Sequence, residues 1–101
     1  MRLTIAQARN AYRHIVDPGN RANDAVNTDM TDAAPLTQFR ADVVAFIAFN
    51  RRLPGELRSV RWPARVQPYV DAMILTDILD NVRCFTAISR APSYSNVQAL
   101  L

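Results

Sequence analysis

At 101 residues, half of them apolar, the chain has material for one hydrophobic core and not for two. Its only glycines, Gly19 and Gly55, each directly follow a proline, so the turn residues that tight hairpins need are scarce and helices are favoured over sheets. A net charge of +3, from twelve arginines against eight aspartates and one glutamate, nominates no nucleic-acid partner by itself, and a single cysteine, Cys84, excludes an internal disulfide or a multi-thiolate metal site.

The first predicted helix opens at Thr4-Ile5-Ala6-Gln7, a capping box in which threonine and glutamine each satisfy a backbone N–H of the first turn. Ile5, Ala8, Tyr12, Ile15 and Val16 then recur at helical spacing. Asp17-Pro18-Gly19 interrupts the run and suits a helix restart, with Asp17 as cap and Pro18 at the first position. Ala22, Val26 and Met30 keep the phase of Ile15, however, and favour one helix kinked at Pro18. Thr31 to Pro35 reads as a loop.

A second helix is predicted from Leu36 or Thr37, with Phe39, Val43, Phe46, Ile47 and Leu53 as its buried stripe, widened by Val44 and Phe49. Pro54-Gly55 ends or bends it, and Leu57 and Val60 carry a short turn onward. At Trp62-Pro63 the only tryptophan stands beside a proline that fits the first turn of a helix, where a missing N–H costs nothing. From Pro63 a third helix is predicted to about Ser89, with Val66, Val70, Met73, Ile74, Ile78, Val82, Phe85 and Ile88 on one face. Ala72, Leu75 and Leu79 add a second apolar row, a width that faces two neighbouring helices. Cys84 in this stripe reads as a small buried hydrophobe. Tyr94 to Leu101 closes the chain as a short helix or ordered tail.

The predicted fold is therefore all-α: a single domain over residues 1–101, an up-down-up bundle of three main helices, the first kinked, plus a short C-terminal helix. Tyr12, Phe39, Phe46, Trp62 and Phe85 are its expected aromatic core. No apolar run reaches the length of a membrane span. No export segment is visible at Met1, which leaves a cytosolic protein or one whose secretion segment has been removed.

Candidate chemistry is sparse. His14, the only histidine, lies three residues from Asp17 on a helix, but no nucleophile or oxyanion site is spaced to complete a reaction centre. Of Asp71, Asp77 and Asp80 only the last two share a face, which suits solvated carboxylates better than metal ligands. No cofactor and no metal is expected, and the chain reads as a non-enzyme whose partner is another protein. The alternative is an anion or nucleic-acid binder built on the turn around Trp62, where Arg51, Arg52, Arg58, Arg61 and Arg65 have Glu56 as their only nearby acid. Such a rim around an exposed Trp62 would suit phosphates and bases. Otherwise these arginines line a solvated bend and answer carbonyls at a helix C-terminus. Pro54 and Pro63 would break the recognition helix of a helix-turn-helix.

Two segments carry a family resemblance. Ala11-Tyr12-Arg13-His14-Ile15-Val16-Asp17-Pro18-Gly19-Asn20 and Trp62-Pro63-Ala64-Arg65-Val66-Gln67-Pro68-Tyr69-Val70 are similar, in order and separation, to an early helix and a tryptophan-proline-alanine corner. Both belong to a group of small actinobacterial, especially mycobacterial, secreted proteins and lipoproteins of uncharacterised function. The resemblance spans about residues 8 to 90. It implies a helical, extracytoplasmic, envelope-associated domain in which Tyr12, Pro18, Asn20, Trp62 and Pro63 are structural, and it supplies no catalytic residues. Asp17 departs from the cysteine that often precedes the proline in that group and leaves Cys84 unpaired. The length is also similar to small secreted WXG-type partner modules, but no glycine follows Trp62-Pro63 and the motif differs.

Overall fold

The computed structural model describes residues 1–101 and is all-α, with no strand: α1 Ile5–Thr31, α2 Leu36–Arg58, α3 Gln67–Ala72, α4 Ile78–Ser89 and α5 Tyr94–Leu100. A π-helical turn, Met73–Asp77, joins α3 to α4, and the backbone stays helical through both junctions.

α1 begins where its sequence says. Thr4 Oγ1 accepts from the Gln7 N–H and Gln7 Oε1 accepts from the Thr4 N–H, at 3.2 and 2.9 Å. The helix runs through Pro18-Gly19 without a restart. It closes in a Schellman motif: the Ala34 N–H donates to the Asp29 carbonyl at 2.9 Å and the Ala33 N–H to Met30 at 3.5 Å. Ala33 takes the left-handed position that glycine usually fills, with φ 49°.

α2 starts at Leu36, its first bond running from the Phe39 N–H to the Pro35 carbonyl. It continues through Pro54-Gly55 to Arg58, so these residues do not end it. The third helical segment begins later than Pro63. Residues 64–66 form a turn, with the Val66 and Gln67 N–H groups both donating to the Pro63 carbonyl, and α3 opens at Gln67 with Pro68 in its first two positions. Either proline suits a helix start, and the later one takes the role.

The π turn settles a phase problem. Val70, Ile74 and Ile78 are all buried at four-residue steps, and each such step drifts about 40° on a helix of 3.6 residues per turn. The wider π turn absorbs that drift, so all three side chains meet the same core.

α1 and α4 both pack against α2. Two apolar clusters form along the molecule. One joins Ala8 to Phe49, Leu53, Leu57, Trp62, Val70, Ile74 and Ile78; the other joins Val26 to Phe39, Val43, Phe46, Ile47, Ile88, Ala91 and Val97. Each large side chain in them contributes roughly 1.5–3 kcal/mol. The aromatic core differs from expectation. Phe39, Phe46, Phe49 and Trp62 are buried, whereas Phe85 is half-buried, edge-on to Phe46 at 4.8 Å, and Tyr12 is exposed, edge-on to Trp62 at 6.5 Å. Cys84 is exposed, not buried. Val44, Leu75 and Leu79 also lie open, because no helix covers their side of the molecule.

Candidate functional site

The broadest concavity is a cleft of about 520 Å³ between α1 and α4. α2 supplies its floor with Phe46, Phe49, Asn50 and Leu53. α1 lines one wall with Tyr12, Val16, Gly19, Asn20 and Asn23, and the π turn and α4 line the other with Met73, Asp77, Ile78, Asn81 and Phe85. Gly19 is buried against Phe49, and a Cβ there would overlap the edge of the ring. The glycine therefore lets α1 sit down on α2, which keeps the floor close to the wall.

Toward the start of α1 the cleft continues into a more apolar end of about 270 Å³, with Tyr12 and Met73 shared by both parts. Ile5, Ala8, Trp62, Val66, Tyr69 and Val70 line this end, and Arg9 is its only charged residue. Tyr69 is 76% exposed, so a large aromatic ring stands at the rim of an apolar hollow. A cleft that is apolar at one end and mixes apolar side chains with asparagines at the other can bury side chains and hydrogen-bond a backbone or hydroxyl.

The arginines expected to gather at the turn are divided. Arg51 and Arg58, seven residues apart on α2, share one side and line a shallow groove with Pro54, Leu75 and Leu79. Arg52 lies toward α1, in a pit with His14, Pro18 and Glu56. Arg61 and Arg65 are exposed on the connection before α3. Trp62 is not an exposed platform. It is 1% exposed, and its indole N–H donates to the Leu57 carbonyl at 2.7 Å, capping the end of α2. Its own carbonyl accepts from the Arg2 guanidinium at 2.7 Å, and the Leu3 N–H donates to Arg61 at 2.8 Å, tying the N-terminus over the corner. A ring fixed this way cannot stack on a base, so the stacking half of the anion-binding expectation is corrected.

A polar cluster that sequence reasoning missed lies where α1, α2 and α5 meet. Asp29 is buried, with Oδ1 accepting from Gln38 Nε2 at 2.8 Å and Oδ2 left without a protein donor. Hydrogen bonding to Asp29, then burial, then the Asp29 charge push the Asp42 carboxyl above its usual range. A proton held on Asp42 would give the pair the donor that it otherwise lacks. The Tyr94 hydroxyl donates to the Ala34 carbonyl at 2.6 Å, and burial followed by the Asp29 charge raises its pKa. The sequence did carry a signal: Asp29 stands three residues after Val26, on the apolar face.

His14 is exposed, and Asp17 is not part of its pit. Asp71 accepts from Gln67 and Asp77 from Thr76 along their own helices. No group of three or more His, Cys, Asp or Glu side chains is placed to hold a metal ion. No helix is long and apolar enough to cross a membrane. Comparison with protein families, with curated proteins and with solved structures finds no match to this chain.

Proposed function

We propose that this chain is a non-enzymatic helical protein-interaction module that receives an apolar helix in the cleft between α1 and α4. The observation that carries the reading is the continuous cleft from Ile5 and Tyr69 to Phe46 and Phe85, open to solvent, apolar at its first end and lined by both apolar side chains and asparagine amides at its broad end. An amphipathic helix laid in such a groove buries its side chains at i, i+3 or i+4, and i+7. In this proposal the three long helical stretches run up, down and up, and a bend of α1 at Pro18 holds the cleft open. The resemblance of the Tyr12 and Trp62 segments to actinobacterial exported domains places the module, as part of the same proposal, at the cell envelope. Fractionation with an antibody to the chain tests that placement.

Selection of binders from a displayed library of helical peptides tests the central claim. The binders are expected to be amphipathic, to shift amide resonances at Ala8, Tyr12, Met73 and Phe85, and to lose at least about tenfold in affinity to Met73→Glu, the cost of one buried side chain at an interface. Absence of binders would overturn the reading. So would retention on heparin that weakens with salt and maps to Arg51 and Arg58, since that result supports the anion-binding alternative.

A further inference from the structure

We infer that the helix received by this cleft carries one basic side chain, lysine or arginine, on its apolar face, and that its cation is held at the broad end by Asp77 and the Asn50 amide; the inference rests on the interaction reading above. The placement of charge is the first argument. Twelve arginines give the chain its net +3, and they reach the hollows around this one: Arg9 the narrow end, Arg51 and Arg58 the groove between α2 and α4, Arg52 the pit beside His14. None lines the broad end, whose single charged residue is Asp77. The Asp77 carboxylate is exposed and accepts only from the neighbouring Thr76 hydroxyl, at 3.3 Å. A carboxylate in an otherwise neutral hollow discriminates between partners: a basic side chain gains a counter-charge there, and an acidic one meets its like.

Asn50 is the second argument. It is 3% exposed, in the floor of the cleft. Its Nδ2 donates to the Phe46 carbonyl at 2.9 Å, and its Oδ1 accepts from no donor of the chain. Unlike Asp29 Oδ2, that oxygen is not sealed from solvent. A buried acceptor left open calls for a donor from outside the chain. Ammonium and guanidinium groups donate and never accept, so one such group suits Asn50 Oδ1 and the Asp77 carboxylate together. Asn50 also borders the groove between α2 and α4, but Arg51 and Arg58 would repel a second cation there.

The remaining lining fits the stem of such a side chain. Met73 and Ile78 flank Asp77 on its wall, and Phe85 lies beyond them. Lysine and arginine bury their hydrocarbon stems along apolar surface of this kind while the charge seeks polar partners, and a phenylalanine face adds attraction for a nearby cation.

Peptides selected from the helical library test the inference. Binders are expected to carry one lysine or arginine with apolar residues three or four positions away. Replacing that residue by methionine in a synthetic binder should cost about tenfold in affinity, as loss of hydrogen bonding to a charged group does. Asp77→Asn should cost the basic peptide about the same and leave the methionine peptide unchanged, a coupling that a purely structural role would not produce. Asp77→Lys should reverse the preference, so that glutamate replaces the basic residue. Asp80→Asn, at another exposed position outside the cleft lining, should change neither affinity. Unaltered helical circular dichroism confirms that these surface variants fold. Cleft-bound peptides that carry no basic residue, or whose affinity ignores Asp77→Asn, overturn the inference and leave the interaction reading standing. Absence of binders overturns both. An equal loss with Asp80→Asn also overturns the inference, because charge then acts at a distance and not at this site.

Discussion

Ala33 holds a conformation that L-residues rarely adopt, and it does so at the position where a helix end most often recruits glycine. The left-handed region costs a residue with a Cβ roughly 1–2 kcal/mol. Ala33→Gly is therefore expected to raise stability by about 0.5–1 kcal/mol after the extra chain entropy of glycine is counted. Urea unfolding, with a higher midpoint and an unchanged slope, checks this. Gly19 gives the opposite case. Alanine there gains about 1 kcal/mol in helix propensity, but its methyl group meets the buried Phe49 ring, and overpacking costs roughly 1–3 kcal/mol. The net expectation for Gly19→Ala is a loss of up to about 2 kcal/mol, reduced in a Phe49→Leu background where the ring is gone. Asp42 supplies a pH dependence. A carboxyl whose folded pKa lies above the unfolded 3.8 stabilises the fold when protonated, so its contribution is complete below that pH and is lost as pH rises through the raised value. Asp42→Asn keeps a donor toward Asp29 at every pH. Its melting temperature should exceed the parent's at neutral pH, and the gap should close as the medium is acidified toward pH 3.8. Little of this was legible beforehand. Glycine in Pro18-Gly19 reads as a break in a helix, and only the packing of α1 on α2 shows it to be a point of close approach.

Among the elements, those with paired local signals were legible. Thr4 and Gln7 announced the start of α1 from their own side chains, and Pro35 marked the start of α2. The helix start expected at Pro63 falls at Gln67-Pro68 instead: both prolines suit that position, and the turn that the Val66 and Gln67 N–H groups make on the Pro63 carbonyl decides for the later one. The π turn was invisible because Val70, Ile74 and Ile78 resemble an ordinary broad stripe when laid on a regular helix. It behaves as one residue added to an α-helix. Deleting Thr76, an exposed residue of that turn, should restore regular 3.6-residue winding, with the core positions spaced four then three. The deletion variant is expected to unfold cooperatively and within about 1 kcal/mol of the parent. Deleting Asn81 instead turns all later residues by about 100°, removes Ile88 from the core and should abolish the sharp transition. Parallel thermal melts compare the two.

For the molecule as a whole, helical class followed from composition and periodicity, because few glycines and three long apolar stripes leave little else to build. The cleft did not follow. Stripe width on the third helical stretch implied two covering neighbours, yet Leu75 and Leu79 are bare and the wall formed by Met73 and Phe85 faces open space. Width reports how much surface wants cover, and it is silent on whether the same chain provides it. The Arg51 to Arg65 group shows a similar limit: closeness in sequence became three separate directions once α2 wound Arg52 away from Arg51 and Arg58.

Ala8 belongs to one apolar cluster and Val26 to the other, about 27 Å apart along α1. Cooperativity across that span depends on three rods, α1, α2 and the continuous stretch from α3 through α4, because α5 packs on the cluster around Val97 and Trp62 on the other. The chain should therefore breathe in halves. Native-state amide exchange in low denaturant is expected to resolve two opening free energies, with α5 and the end of α4 released before the Trp62 corner. A single opening free energy shared by Val97 and Val70 would mean that the three rods bind both halves into one unit.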